Sequence, residues 1–136
     1  MSWTTKLLVV ANRTVASDEL LHALRARATA GPIEVTLVAP ADTAREATAR
    51  RLERAVERLE AEGIAVAGFV GHPDPLVAVE EVWDPRRFDE VIVVTLPTDV
   101  SRWMRLDLPH RIERFTGART THVVASPVPA RRLQRA

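Results

Sequence analysis

Five short apolar runs, separated by segments with helical spacing, constrain the fold of this 136-residue chain more than any other feature. The runs lie at residues 6–12, 33–39, 64–70, 91–95 and 120–125. A continuous apolar run is typical of a strand that is covered on both faces, as in a parallel sheet. The alternation of such strands with helices predicts βαβ units, and hence a three-layer α/β/α sandwich around a five-stranded parallel sheet.

Local signals mark where the four intervening helices begin. Ser17 is a predicted N-cap, residues 43–46 form a capping-box pattern (TARE), and an Asp-Pro pair stands at 74–75. Pro109 opens the last helix, after a first helical turn at 101–106. In that last helix, Ile112 and Phe115 are predicted to face the core.

Length and composition predict one domain over residues 1–126, followed by a tail at 127–136 that contains proline and arginine. A hydrophobic fraction of 46% with 27% charged residues is typical of a globular protein. No run approaches the roughly 18 apolar residues of a membrane span, and residues 1–6 do not resemble a secretory leader, so we expect a cytoplasmic protein without a membrane partner. A net charge of +1 predicts no nucleic-acid partner.

The chain contains no cysteine, which excludes disulfides, thiolate catalysis and cysteine-based metal sites. The four histidines stand singly, at positions 22, 72, 110 and 122, and none has a second histidine or carboxylate at a metal-binding helical spacing. We therefore predict no metal site.

The order and length of these elements resemble those of the universal stress protein family. The resemblance extends from about residue 6 to residue 125 and includes the turn VANRT at 10–14, the turn GHPDP at 71–75 and the segment FDEVIVVT at 88–95. It implies the strand order 3-2-1-4-5, which is the flavodoxin-like topology of the adenine-nucleotide alpha-hydrolase-like folds. It also implies a homodimer formed through the last strand.

Members of that family that bind ATP carry an acidic residue after the first strand and the signature G-x2-G-x9-G-[ST] after the fourth. Glycines there let backbone amides approach the phosphates. In this chain Asn12 takes the acidic position, Thr95 and Thr98 take the first two glycine positions, and the third falls near 107–109. All five glycines of the chain lie elsewhere, at positions 31, 63, 68, 71 and 117.

Other residues in this region also oppose a phosphate site. Pro97 and Pro109 lack amide hydrogens, and Asp99 and Asp107 would bring carboxylates towards a polyphosphate. We therefore expect no resident cofactor and regard ATP and AMP as disfavoured ligands.

A remodelled pocket at the carboxyl ends of the first and fourth strands is the alternative to an empty site. Hydroxyl hydrogen bonds would come there from Thr95, Thr98 and Ser101. Arg102 and Arg105, one turn apart, would attract a small anion. The same residues also have a structural interpretation, as the end of a strand, a turn and a helix cap. The candidate ligand-binding residues are Asn12, Ala39, Thr95, Thr98, Ser101 and Arg102.

The function that we expect from this resemblance is that of a non-enzymatic, stress-related or regulatory domain, which acts through protein contacts or through a ligand that the sequence does not identify. One alternative is a small-molecule or nucleotide-binding protein that uses the remodelled pocket. Another is a hydrolase that uses His72, although the sequence shows neither a nucleophile nor an orienting carboxylate for it. Three other classes with related folds lack support. The chain does not have the acidic and lysine residues of a receiver domain, the paired histidines that a nucleotidyltransferase carries after the first strand, or the glycine motif of a dinucleotide-binding fold.

The last strand, at 120–124, is a predicted edge of the sheet and a candidate dimer interface. Pairing of two copies would cover its unpaired backbone groups. The alternative is an edge protected by Pro127, Pro129 and the arginines of the tail.

Overall fold

The computed structural model describes residues 3–11, 14–15, 17–41, 44–95 and 107–125. The strands are β1 (Thr5–Val10), β2 (Ile33–Pro40), β3 (Ala65–Gly71), β4 (Glu90–Thr95) and β5 (Arg119–Val124). They form one sheet in the order β3-β2-β1-β4-β5, and every neighbouring pair is parallel. The structure thus confirms the predicted strand order.

Four helices lie within the described residues: α1 (Asp18–Ala30), α2 (Arg45–Ala61), α3 (Pro75–Val82) and α4 (Leu108–Thr116). The helices α1 and α2 pack on one face of the sheet, and α3 and α4 pack on the other, which confirms the three-layer sandwich. Predicted and observed bounds differ by at most two residues. The helical turn predicted at 101–106 and the tail at 127–136 fall outside the described residues.

Two hydrophobic clusters are separated by the sheet, and β1 contributes to both. Leu7 and Val9 belong to the cluster beneath α1 and α2, whereas Leu8 and Val10 belong to the cluster beneath α3 and α4. All four side chains are 0% exposed. Because successive side chains of a strand point to opposite faces, a strand buried on both sides must be apolar throughout.

Two of the three predicted side-chain caps are confirmed. The Ser17 hydroxyl accepts from the Leu20 amide at 3.2 Å, and a carboxylate oxygen of Asp74 accepts from the Leu76 amide at 2.9 Å. The capping box at the start of α2 is wrong: Ala44 is the N-cap, with no side-chain cap, so Glu46 lies one position too early to reach back. This start places Arg45 at the first helical position, from which its guanidinium donates to the Val70 carbonyl at 3.2 Å.

The inward placement predicted for Phe115 is also wrong. Ile112 is fully buried, as predicted, but Phe115 is 49% exposed. The helix α4 packs against β5, which is the final strand of the sheet. No further element of the described chain extends beyond β5 to cover the ring.

Two glycines are required by close packing between layers. Gly68 in β3 lies under Leu52 and Val56 of α2, and Gly71 lies under Ala78 of α3. A Cβ atom at Gly68 would be 2.9 Å from Cγ of Leu52, and one at Gly71 would be 2.8 Å from Cβ of Ala78. These glycines therefore let helices on both faces approach the sheet.

The Gly71→Ala substitution should lower the free energy of unfolding by about 1–3 kcal/mol, because α3 must move to admit the new methyl group. Gly31→Ala is the matched control, since its Cβ would meet nothing nearer than the Trp3 carbonyl oxygen at 4.0 Å. We expect that control to change stability by less than about 0.5 kcal/mol. Urea denaturation followed by circular dichroism measures both variants, and equal losses would contradict this packing role.

Candidate functional site at the carboxyl edge of the sheet

The carboxyl ends of β1 and β4 are adjacent at the centre of the sheet, and the next helix that the structure describes after each strand packs on a different face. The helix after β1 packs on one face, and α4, which follows β4, packs on the other. In open parallel sheets, ligands bind in the crevice that forms where the connections diverge in this way. The point between these two strand ends is therefore the candidate site that the topology defines.

Thr14 contacts β4 at this edge of the sheet. Its hydroxyl donates to the Val94 carbonyl at 3.0 Å, and the residue is only 3% exposed. The last register pair between β1 and β4 is Val10 with Val93, so Thr14 supplies a donor to β4 just beyond the point where β1 ends. This role was not predicted from the sequence, where the only signal was a hydroxyl residue in the turn after the first strand.

Ala39 and Thr95 are the two predicted ligand-binding residues that the structure describes. Both are almost fully buried, at 1% and 2% exposure. The side chain of Ala39 belongs to the cluster beneath α1 and α2. Thr95 follows Val94, which packs on that same face, so its side chain points to the opposite face. The structure therefore brings their backbones to one edge of the sheet but separates their side chains.

The Thr95 side chain has a partner inside the protein. Its Oγ1 lies 2.8 Å from Nε2 of His122 in β5, and its carbonyl accepts from the Ala125 amide at 2.7 Å. Burial lowers the pKa of His122 below its usual 6.5, because desolvation disfavours the imidazolium. The pair is a polar contact between the last two strands. His122 was not predicted in this role, and its place in the fifth strand was the only signal.

The other four predicted residues, Asn12, Thr98, Ser101 and Arg102, lie outside the described residues. The same holds for most of the segment in which the glycine-rich signature would stand. The remodelled pocket therefore stays a prediction.

His72 has contacts that hold its own turn. Its Nδ1 accepts from the Asp74 amide at 3.0 Å, and its backbone amide donates to a carboxylate oxygen of Glu81 at 3.2 Å. The ring thus supports the approach to α3. Within the described ranges no carboxylate contacts the imidazole ring, so the orienting partner that a hydrolase would need is not found there.

Metal ligation and membrane insertion were searched among the residues that the structure describes. No group of three or more histidine, aspartate or glutamate side chains is placed to hold a metal ion there. No helix in the same residues has both the length and the apolar character needed to cross a membrane.

The lowered pKa of His122 gives stability a defined pH dependence. Between the folded pKa and 6.5 the unfolded chain binds more protons than the folded protein, so this contribution is complete above 6.5 and is lost as the pH falls below it. We expect His122→Gln to flatten the decrease in free energy of unfolding between neutral and mildly acidic pH. Denaturant titrations across that range measure the effect.

His110→Gln is the control, because His110 is exposed on α4 and the structure shows no side-chain contact for it. It should keep the pH dependence of the unsubstituted protein. A His122→Gln variant whose stability falls with pH as steeply as that of the unsubstituted protein would contradict the assignment.

Comparison with known proteins does not extend these observations. No known protein-family model matches the chain, and no curated protein matches it.

Proposed function

We propose that this chain is a non-enzymatic domain of universal-stress-protein-like architecture, with a stress-related or regulatory role, that does not hold ATP in the manner of the ATP-binding members. A cytoplasmic location is part of the proposal, and the absence of cysteine is compatible with it. The observation that supports it most directly is the hydrogen bond from Thr14 to Val94, because a protein side chain takes up a carbonyl group of β4 beside the end of β1.

The use of glycine in this fold supports the same proposal. Gly68 and Gly71 are required under α2 and α3, and Gly63 and Gly117 lie at positive φ after helices. The sequence from residue 95 to residue 109 contains no glycine. A phosphate cradle built from exposed backbone amides would have to form there without the residue that most easily adopts the required backbone angles.

The start of α4 follows this segment, and its chemistry opposes a polyphosphate. Pro109 lies in the first turn and has no amide hydrogen, and Asp107 is the N-cap residue. Asp107 is exposed, and its carboxylate would repel an approaching phosphate.

Millimolar ATP with magnesium, ADP or AMP should leave the melting temperature unchanged, because a ligand stabilises a protein only when its concentration approaches or exceeds its Kd. Differential scanning fluorimetry measures this. Tight, magnesium-dependent ATP binding in calorimetry, abolished by Thr98→Asp, would contradict the proposal. Stabilisation by another nucleotide or small anion that Arg102→Ala removes would support the remodelled-pocket alternative instead.

A homodimer formed through β5 is the second part of the proposal. Within the described residues, β4 is the only strand that pairs with β5. The Ala125 amide donates to β4, and the backbone groups of successive residues in a strand point to opposite sides. Those of Thr120, His122 and Val124 therefore point away from β4. Val124 is also 45% exposed, so an apolar side chain accompanies the unpaired edge.

Val124→Lys should convert the dimer to a monomer at micromolar concentration, since a charge on an edge strand opposes pairing of two copies. Phe69→Lys is the matched control: it places the same charge at a similarly exposed apolar residue on the opposite edge of the sheet, in β3. Sedimentation velocity distinguishes the species. A monomeric unsubstituted protein, or a dimer lost only in Phe69→Lys, would contradict pairing through β5.

A further inference from the structure

The outer edge of β3 presents, in a definite register, backbone groups that no other strand of the described residues pairs. The Gly71 carbonyl accepts from the Ala41 amide of the chain after β2. Gly71 and every second residue before it in β3 therefore direct their backbone groups towards β2. The amides and carbonyls of Val66, Gly68 and Val70 therefore point away from the sheet. One of these carbonyls, that of Val70, already accepts from the Arg45 guanidinium, which shows that a donor can reach this edge.

An open groove lies beside this edge, between β3 and α2. Its volume is about 410 Å³, and its lining residues are Ala49, Leu52, Glu53, Val56, Glu57, Gly68 and Val70. Leu52 and Val56 form an apolar floor and pack directly against Gly68. A strand added next to β3 would direct every second side chain into this groove.

Two carboxylates give the groove its charge. Glu53 and Glu57 lie one helical turn apart on α2, both are exposed, and neither has an ion-pair partner among the residues that the structure describes. A lysine or arginine side chain from a bound segment would neutralise them. The groove is therefore complementary to an aliphatic segment that also carries positive charge.

The other side of β3 is open as well. Ala65, Ala67 and Phe69 are exposed on the face that carries α3 and α4, and the Phe69 ring is 49% exposed. The remaining side chains of an added strand would lie next to these small residues and this ring. Both faces of the edge thus accept apolar side chains.

A second copy of the chain fits this edge poorly. Two-fold pairing of two β3 strands about Gly68 would bring the two α2 helices together, and Glu53 and Glu57 of both copies would then face each other. Like charges in such positions oppose association. The charge of the groove favours a partner of opposite sign over self-pairing.

We propose that the outer edge of β3 and the adjoining groove, with Glu53 and Glu57 at its rim, bind an extended aliphatic and cationic segment of a partner protein as a sixth strand. The proposal rests on the non-catalytic role proposed above and names its partner class. The surface is separate from the carboxyl edge of the sheet. Failure of peptide binding would therefore contradict only this inference, whereas detection of nucleotide binding would contradict the proposed function.

The probe is a labelled peptide with the sequence Arg-Val-Thr-Val-Thr-Val-Arg, titrated by fluorescence anisotropy. We expect saturable binding, which is weakened about tenfold or more by Glu53→Arg combined with Glu57→Arg. Glu80→Arg combined with Glu113→Arg is the matched control, because it makes the same change of charge at exposed positions on α3 and α4. The proposal would be overturned if both double variants weakened peptide binding equally, or if the peptide did not bind to the unsubstituted protein.

Two further measurements do not depend on the folding of a variant. The same peptide N-methylated at alternate residues loses its amide donors on one side and should no longer bind if it adds as a strand. Hydrogen exchange by NMR should slow at the amides of Val66, Gly68 and Val70 when the peptide binds. Unchanged exchange at these three amides would overturn the proposal, as would self-association through β3 that excludes the peptide.

Discussion

The burial of β1 on both faces and along both edges is the constraint on which the rest of the structure depends. Its apolar side chains can be removed from water only if helices cover both sides of the sheet, and its backbone groups are satisfied only if β2 and β4 flank it. The fully buried residues of β1 therefore require the crossover connections and the layer order. The divergence of the chain at the carboxyl ends of β1 and β4 follows from the same requirement.

Sequence patterns predicted the architecture because apolar runs and cap residues are local signals. The same local signals failed at two positions. The segment TARE at 43–46 matches a capping box, yet the helix begins one residue later than that pattern predicts, and Arg45 then reaches the Val70 carbonyl. Phe115 has the spacing of a core residue, but its burial depends on whether anything lies beyond β5. Both errors arose where tertiary contacts outweighed local pattern.

The candidate site was harder to predict because it depends on register between strands. Val10 is level with Val38 and with Val93, and continuing that register by one residue places Ala39 level with Val94, not with Thr95. A uniformly apolar run has no alternation from which this offset can be read. Thr14 and His122 contribute contacts for the same reason: their partners lie on β4, far away in sequence. Within the described part of the molecule, β3 and β5 each have one edge that no other strand pairs.

The pairing of β1 with β4 also determines the order in which this protein can be built. The Lys6 amide donates to the Asp89 carboxylate at 2.8 Å across 83 residues, and the Asp89 amide donates back to the Lys6 carbonyl at 2.8 Å. During synthesis, β1 and β2 can pair as soon as α1 has formed between them. The second edge of β1 stays open until β4 leaves the ribosome. Until then the strand at the centre of the sheet has a partner on one side only, because its second neighbour is distant in sequence.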